Sequence, residues 1–311
     1  MSVHTIDCNY IGKDIAAAFL MIEGNEGAFV ENNTIHAIPS LLEKLNKENI
    51  KLENIRYIII THVHLDHAGG TSELLSNCPN AVVLAHPKAA PHIIDPKRLI
   101  ESSMMVYGRE NFLKLYGEIK PVPSDRVRIV QDGEIISWGN RILKFIYTRG
   151  HANHHFVVHD SKTNGVFTGD SFGIGYKQLQ HGNEPFLFPS TTPTDFDFEE
   201  AILSIDKIIN TGADKVYLTH FGIWTEVASG ASQLREGLKK MENIRMEALN
   251  STLSDEELQK FCSLKIGDYF RNELERRNIN LKELQFLEFD RDINAMGLAH
   301  SAKRQRGKSK I

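Results

Sequence analysis

At 311 residues, 41% apolar and 24% charged, with a net charge of −4, the chain has room for one large α/β domain plus an appendage, and its composition is that of an ordinary globular protein. The acidic balance argues against a broad nucleic-acid-binding surface. Its three cysteines, Cys8, Cys78 and Cys262, show no paired spacing, so neither a disulfide framework nor a cysteine zinc site is expected and a reducing cytoplasm is the default setting.

Met1 to Asp7 lacks a basic stretch leading into an apolar core, so no signal peptide is expected. The most apolar early stretch, Ile15 to Ile22, is far too short to span a bilayer, and a soluble protein without membrane association is the expectation. Residues 2–31 read as a strand meander, with 15–22 and 28–30 paired as a hairpin. Leu41, Leu42 and Leu45 mark a short amphipathic helix over 39–49. The Ile-rich run 55–60 reads as a buried strand, followed at once by Thr61-His62-Val63-His64-Leu65-Asp66-His67-Ala68-Gly69-Gly70 and a helix from Thr71. Gly69 and Gly70 are expected to supply the backbone freedom for that turn. Another buried strand spans 81–85 and ends at His86. Residues 88–120, with Tyr107, Phe112 and Tyr116 among them, read as a mixed helical and irregular insertion that either borders a substrate cleft or packs on the sheet. Strands are expected over 127–136, 141–147, 156–159 and 166–168, the last two forming a hairpin at Asn164-Gly165. A helix over 194–210 feeds a strand over 215–219. The pattern is helical from about 225, and residues 301–311 form a basic tail, read as a disordered, solvated end.

Three imidazoles and a carboxylate within six residues are the nitrogen and oxygen donors of zinc-like metals, and their clustering sets them apart from isolated surface histidines. Residues two apart on an extended chain face the same way, so His62 and His64 can converge on one ion, while Asp66 and His67 can point at a second. Further strand ends carry His151, Asp170 and His220. Strand ends converging on one sheet edge are where open α/β folds place ligands.

The series Thr-His62-x-His64-x-Asp66-His67, Gly-His151, Gly-Asp170 and Thr-His220, in this order, resembles the metallo-β-lactamase-fold superfamily over residues 5 to 225, and within it a subgroup near glyoxalase II. The resemblance implies an α/β (α+β) fold, the αββα sandwich, over residues 1–225, with the 88–120 insertion near the cleft. A helical C-terminal extension over 226–300 and the 301–311 tail follow. It implies two divalent metal ions, zinc first, with iron or manganese as other candidates. His62, His64 and His151 would hold one ion, Asp66, His67 and His220 the other, and Asp170 would bridge them. His155 falls where the family has a histidine that steadies the site by hydrogen bonding. Relatives follow the first hairpin with Val-Asp-Thr-Gly where this chain has Val30-Glu31-Asn32-Asn33-Thr34, so Glu31 is expected to take over the Asp's supporting role. Many have Thr-Pro-Gly-His where this chain has Thr148-Arg149-Gly150-His151. The glutathione-binding pattern of glyoxalase II is not recognisable in the helical C-terminus.

The activity so implied is metal-assisted hydrolysis of a small-molecule acyl thioester, ester or lactone, with a bridging hydroxide oriented by Asp66 and Asp170. Tyr176 and Lys177, soon after Asp170, are candidate substrate contacts; His86, His92 and His181 are candidates for the cleft border. The rival from another class is a diiron protein that binds or reduces dioxygen, a branch that usually carries His-x-Glu-x-Asp. The imidazole of His64 favours the hydrolase. A nuclease of the same superfamily is disfavoured by acidity, and a vestigial binding module by the filled ligand positions. The helical C-terminal part either covers the cleft or builds a homodimer.

Overall fold

Ala17 to Glu23 is apolar almost throughout because the strand it forms is covered on both faces. In the computed structural model, which describes residues 2–191 and 194–308, β1 (Val3–Asp7), β2 (Ala17–Glu23) and β3 (Glu26–Val30) are antiparallel neighbours. β3 then pairs in parallel with β4 (Ile55–Ile59), which is followed by β5 (Val82–Ala85) and β6 (Val127–Ile129) in one six-stranded sheet. Parallel neighbours need crossovers. They are α1 (Ile38–Lys47), then α2 (Leu65–Ala68) with α3 (Thr71–Asn77), then α4 (Ala90–Ile94), α5 (Lys97–Tyr107) and α6 (Arg109–Tyr116). A second six-stranded sheet contains β7 (Ile135–Trp138), β8 (Arg141–Tyr147), β9 (Phe156–Asp160), β10 (Gly165–Gly169), β11 (Lys215–Leu218) and β12 (Gly222–Trp224). Its neighbouring strands are consecutive in sequence, antiparallel except where β10 meets β11.

Alternate residues of the first sheet enter different cores. Leu20, Phe29, Ile58 and Val83 join Leu41, Leu45, Leu74 and Ile93 of the helices. Phe19, Met21, Val30, Ile59 and Leu84 instead meet Leu143, Phe145, Phe156, Val158 and Phe167 of the second sheet. Burial of both faces is what produces unbroken apolar runs. β8 buries Leu143 and Phe145 but exposes Ile142 and Lys144, and its sequence alternates accordingly. Phe19 sets its edge against Phe167 and Tyr217, with ring centroids 5.4 and 5.5 Å away. Each such contact adds about 0.5–1.5 kcal/mol beyond the area it buries.

The stretch 127–136, expected as one strand, divides. β6 belongs to the first sheet and β7 to the second. The chain changes sheets at Gln131-Asp132-Gly133-Glu134, where Gly133 has φ 75° and the Glu134 carboxylate accepts from the Gln131 N–H at 2.7 Å.

The chain forms two units. Met1–Tyr147, His154–Gly169 and Asn210–Thr225 hold both sheets and α1 to α6. Thr148–Asn153, Asp170–Ile209 and Glu226–Ile311 hold α7 (Phe198–Ile209), α8 (Val227–Asn250), α9 (Asp255–Arg276), α10 (Glu283–Phe286) and α11 (Glu288–Lys308). α9 buries Leu258, Cys262, Ile266, Phe270 and Leu274, one residue per turn along a single stripe. It starts on a capping box in which the Glu257 carboxylate accepts from the Ser254 N–H at 2.8 Å. The basic stretch expected as a disordered tail is helical as far as Lys308, and 309–311 lie outside the described residues. Arg306 supplies the reason. Its guanidinium donates to the carbonyls of Ala248, Leu249, Ser251 and Leu253 at 2.5–3.0 Å, satisfying acceptors around the end of α8.

Candidate metal centre

β4 stops at Ile59, so His62 and His64 lie on the loop beyond it and Asp66 and His67 on α2. Glu31-Asn32-Asn33, the segment after β3, holds this loop. The Asn32 and Asn33 N–H groups both donate to the His67 carbonyl, at 3.0 and 3.1 Å. The Asn33 side chain donates to the Asp66 carbonyl at 2.7 Å, and the Gly70 N–H to the Asn33 carbonyl at 2.8 Å. Glu31 and Asn33 take left-handed conformations, φ 63° and 56°, to aim these groups. The expected role of Gly69 and Gly70 needs correcting. Their φ values, −62° and −88°, are open to any residue. What demands glycine is crowding: a Cβ would lie 2.4 Å from the Leu65 carbonyl oxygen at Gly69 and 2.8 Å from that of Thr34 at Gly70.

The hydrogen bonds define which imidazole nitrogens carry protons. Buried Glu31 accepts from the Thr61 hydroxyl at 2.5 Å and from His67 Nδ1 at 3.1 Å. With its proton given to Glu31, the Thr61 oxygen accepts from His62 Nδ1 at 3.0 Å. His220 donates its Nδ1–H to the Ile15 carbonyl at 2.9 Å. With Nδ1 so engaged, Nε2 is the nitrogen that each ring can offer to a metal ion. That of His62 lies 2.9 Å from His64 Nδ1. Those of His67 and His220 lie 3.7 and 3.4 Å from one oxygen of Asp66. The ligand atoms of Asp66, His67 and His220 are all within 4.8 Å of one another, as are those of Glu31, His62 and His67. Two imidazole nitrogens converging on a carboxylate oxygen are the donor types that hold zinc-like ions, so this set fits a divalent ion. Carboxylate and carbonyl acceptors on the far nitrogens are the usual partners of metal-binding histidines.

The second unit repeats the pattern. His151 Nδ1 lies 3.4 Å from the Ser190 carbonyl oxygen and its Nε2 3.4 Å from an Asp170 oxygen. Asp170 follows Gly169, the end of β10, where φ is 47° and a Cβ would lie 2.4 Å from the Thr61 hydroxyl and 2.5 Å from His155 Nε2. His155 is buried and stacks on His62, with ring centroids 4.8 Å apart.

Tyr176, expected as a substrate contact, is instead built into the interior of the second unit. Its hydroxyl donates to Asp290 at 3.1 Å and its ring packs on Phe188 and Phe286. Lys177 is exposed, as is His181. His86 is buried against Tyr147 and accepts from the Lys88 N–H at 3.0 Å; burial above all, then the Lys88 charge, pushes its pKa down to about 4. His92 lines a crevice with Leu65 and Ala68. Thr61 and Asn33 carry no role in the sequence reading. The signal for Asn33 was the Asn-Asn pair directly after a strand, a composition suited to left-handed backbone.

Two six-stranded sheets enclosing a common core, with histidines and aspartates on the segments that follow β4, β8, β10 and β11, define a metal-binding protein of the αββα class. The chain belongs to the metallo-β-lactamase superfamily, whose family model matches residues 26–220. It is 29% identical over 240 residues to the metallo-β-lactamase fold-containing protein ST1585 of Sulfurisphaera tokodaii, covering 75% of this chain and 80% of that one. The solved structure of ST1585 superposes with a TM-score of 0.64 at 24% identity, covering 96% of this chain and 98% of the other. The hydroxyacylglutathione hydrolase of Aeromonas hydrophila is 25% identical over 220 residues, 70% of each chain.

Proposed function

We propose that this protein is a hydrolase working with two divalent metal ions, zinc foremost, on a small-molecule acyl ester, thioester or lactone. His62, His64 and His151 would hold one ion and Asp66, His67 and His220 the other, with Asp170 serving both. The observation that carries the reading is the convergence of His67 Nε2 and His220 Nε2 on one Asp66 oxygen. Bound divalent ions acidify water to a pKa of about 7 and polarise a carbonyl oxygen, which supplies a nucleophile at neutral pH without a serine or cysteine. The chain's own residues do the rest. Glu31, Thr61 and the Ile15 carbonyl hold the rings in register. The Asp66 side chain is 24% exposed beside His67 at 0% and His220 at 6%, so solvent and substrate reach the group on the Asp66 side. There Asp66 and Asp170 would accept hydrogen bonds from the attacking water and orient it. A relative named as a hydroxyacylglutathione hydrolase supports the acyl class.

The test is a hydrolysis panel on protein loaded separately with zinc, manganese and iron, spanning thioesters, lactones, a β-lactam and phosphodiesters. Turnover of one acyl class, reduced by at least about 100-fold in Asp170→Asn, is the expected result. Absence of turnover throughout, with iron retained and dioxygen consumed on reduction, would replace the hydrolase with an oxygen-reducing protein.

A further inference from the structure

Within the second unit, the segments that carry His151 and Asp170 wall a crevice together with α7 and α8. Its volume is about 300 Å³, counted out to open solvent, at the small end of the range for ligand pockets. His151 Nε2 and an Asp170 oxygen, 3.4 Å apart, belong to two of its lining residues. The apolar lining is Pro189, Ala201 and Ile205 with Leu234 and Leu238. Leu234 and Leu238 lie one turn apart on α8 and are buried, whereas Ser171, Ser190 and Ala201 are half-buried. The leucines are the floor and the half-buried residues the rim.

Two glycines let these walls approach one another. At Gly150, φ 112°, a Cβ would collide with the backbone of Ala201 in α7. At Gly173, φ 70°, it would lie 2.5 Å from the Phe188 carbonyl oxygen and collide with the Leu234 side chain. The Asp197 N–H donates to the Gly150 carbonyl at 2.9 Å and pins the start of α7 beside His151.

The polar groups of the lining find partners inside the walls. The Ser204 hydroxyl donates to the Arg149 carbonyl at 2.6 Å and that of Ser171 to the Thr148 hydroxyl at 3.0 Å. The Ser190 carbonyl faces His151 Nδ1 at 3.4 Å. The Arg149 guanidinium is engaged by the Asn153 side-chain oxygen at 3.0 Å and by Glu200 at 3.3 Å. A ligand therefore meets hydrocarbon along the crevice and one imidazole and one carboxylate at its side. A polar group entering it would give up water for little return, while a methylene gains by leaving water.

We propose that this crevice receives the alkyl chain of the substrate's acyl group, with the acyl carbonyl at the His151–Asp170 side and Leu238 limiting the chain length. The proposal rests on the hydrolase reading above and names its substrate class, an aliphatic acyl ester, thioester or lactone. Each methylene that reaches apolar wall tightens binding about fourfold, until the chain meets the floor.

The experiment uses the full chain loaded with zinc. Straight-chain carboxylates from acetate to decanoate serve as probes in calorimetry, and KM is measured on acyl thioesters of the same lengths. In the wild type we expect affinity to rise about fourfold per methylene over the shorter acids and then level off or fall. In Leu238→Ala the best-bound acid and the lowest KM should both move to longer chains, with zinc content unchanged. Leu238→Val, a smaller cut, should move both the same way by less, and it decides the matter if the alanine variant does not fold. Affinity indifferent to chain length in the wild type overturns the crevice. So does an unchanged length preference in the Leu238 variants, which with a loss of thermal stability would make Leu238 a packing residue alone. Length-graded binding that shifts with Leu238, in a protein that hydrolyses nothing, would keep the crevice and sink the hydrolase. Turnover with a KM indifferent to acyl length and to Leu238 would do the reverse.

Discussion

A carboxylate buried beside imidazoles must be compensated by donors, and Glu31 is compensated by the Thr61 backbone N–H, the Thr61 hydroxyl and His67 Nδ1. One oxygen takes the Thr61 hydroxyl and His67 Nδ1, and through Thr61 it also sets the proton position of His62. Removing it leaves a buried hydroxyl and a buried ring N–H without their acceptor. Glu31→Ala should weaken zinc binding by about 10–100-fold, measured by competition with a chelator, and Glu31→Gln by less, because an amide oxygen can still accept. Equal affinities in all three proteins would show that Glu31 does not organise the ligands. The grouping of Asp66, His67 and His220 was foreshadowed by residue type and spacing, since clustered imidazoles have few other uses. The supporting role of Glu31 was legible only by its place after the first hairpin. Thr61 was not legible at all, because nothing in a Thr-His dipeptide says which oxygen the hydroxyl will find.

At the scale of elements, period and flanking turns carried most of the strands and helices, and the failures share one cause. Where two strands are joined by a short polar turn, as β6 and β7 are at Gln131 to Glu134, the apolar pattern continues on either side and hides the change of sheet. Where a basic stretch has a distant acceptor, composition alone reads as a solvated tail. Arg306 has four carbonyl acceptors around the end of α8. Arg306→Ala should lower stability by about 1–3 kcal/mol, read as a fall in denaturation midpoint, with the loss of helical signal preceding that of the sheets. Arg306→Lys should recover part of it, since an ammonium reaches fewer of those acceptors. A midpoint unchanged in Arg306→Ala would mean that water replaces the guanidinium without cost.

For the molecule as a whole, the three cysteines are free and buried, and burial pushes the Cys78 thiol up to about 12 and that of Cys262 up to about 11. Among the described residues no helix is long and apolar enough to cross a membrane. Loss of stability in acid has an identifiable source in His86, which faces Tyr147, Lys88 and, at longer range, Asp132. Its folded pKa is about 4, below the ordinary 6.5, so between these values the unfolded chain binds the extra proton. Stability from this group is complete above 6.5 and is lost as pH falls through that window, by at most about 3 kcal/mol. In metal-free protein, the unfolding free energy of His86→Asn should decline less between pH 7 and 4 than that of the wild type. Parallel declines would refute the assignment.

The bond from His220 to the Ile15 carbonyl spans 205 residues, and the Ala17 N–H donates to the Thr219 carbonyl beside it at 2.7 Å. On the ribosome, then, Asp66 and His67 emerge long before the ring that completes their group, and the Ala17 N–H at the start of β2 waits for Thr219. Closing so long a loop is slow compared with forming the helices. Ion capture at this group would be a late event of biosynthesis, after about two thirds of the chain has been made, and a nascent chain stalled short of His220 would have nothing there to load.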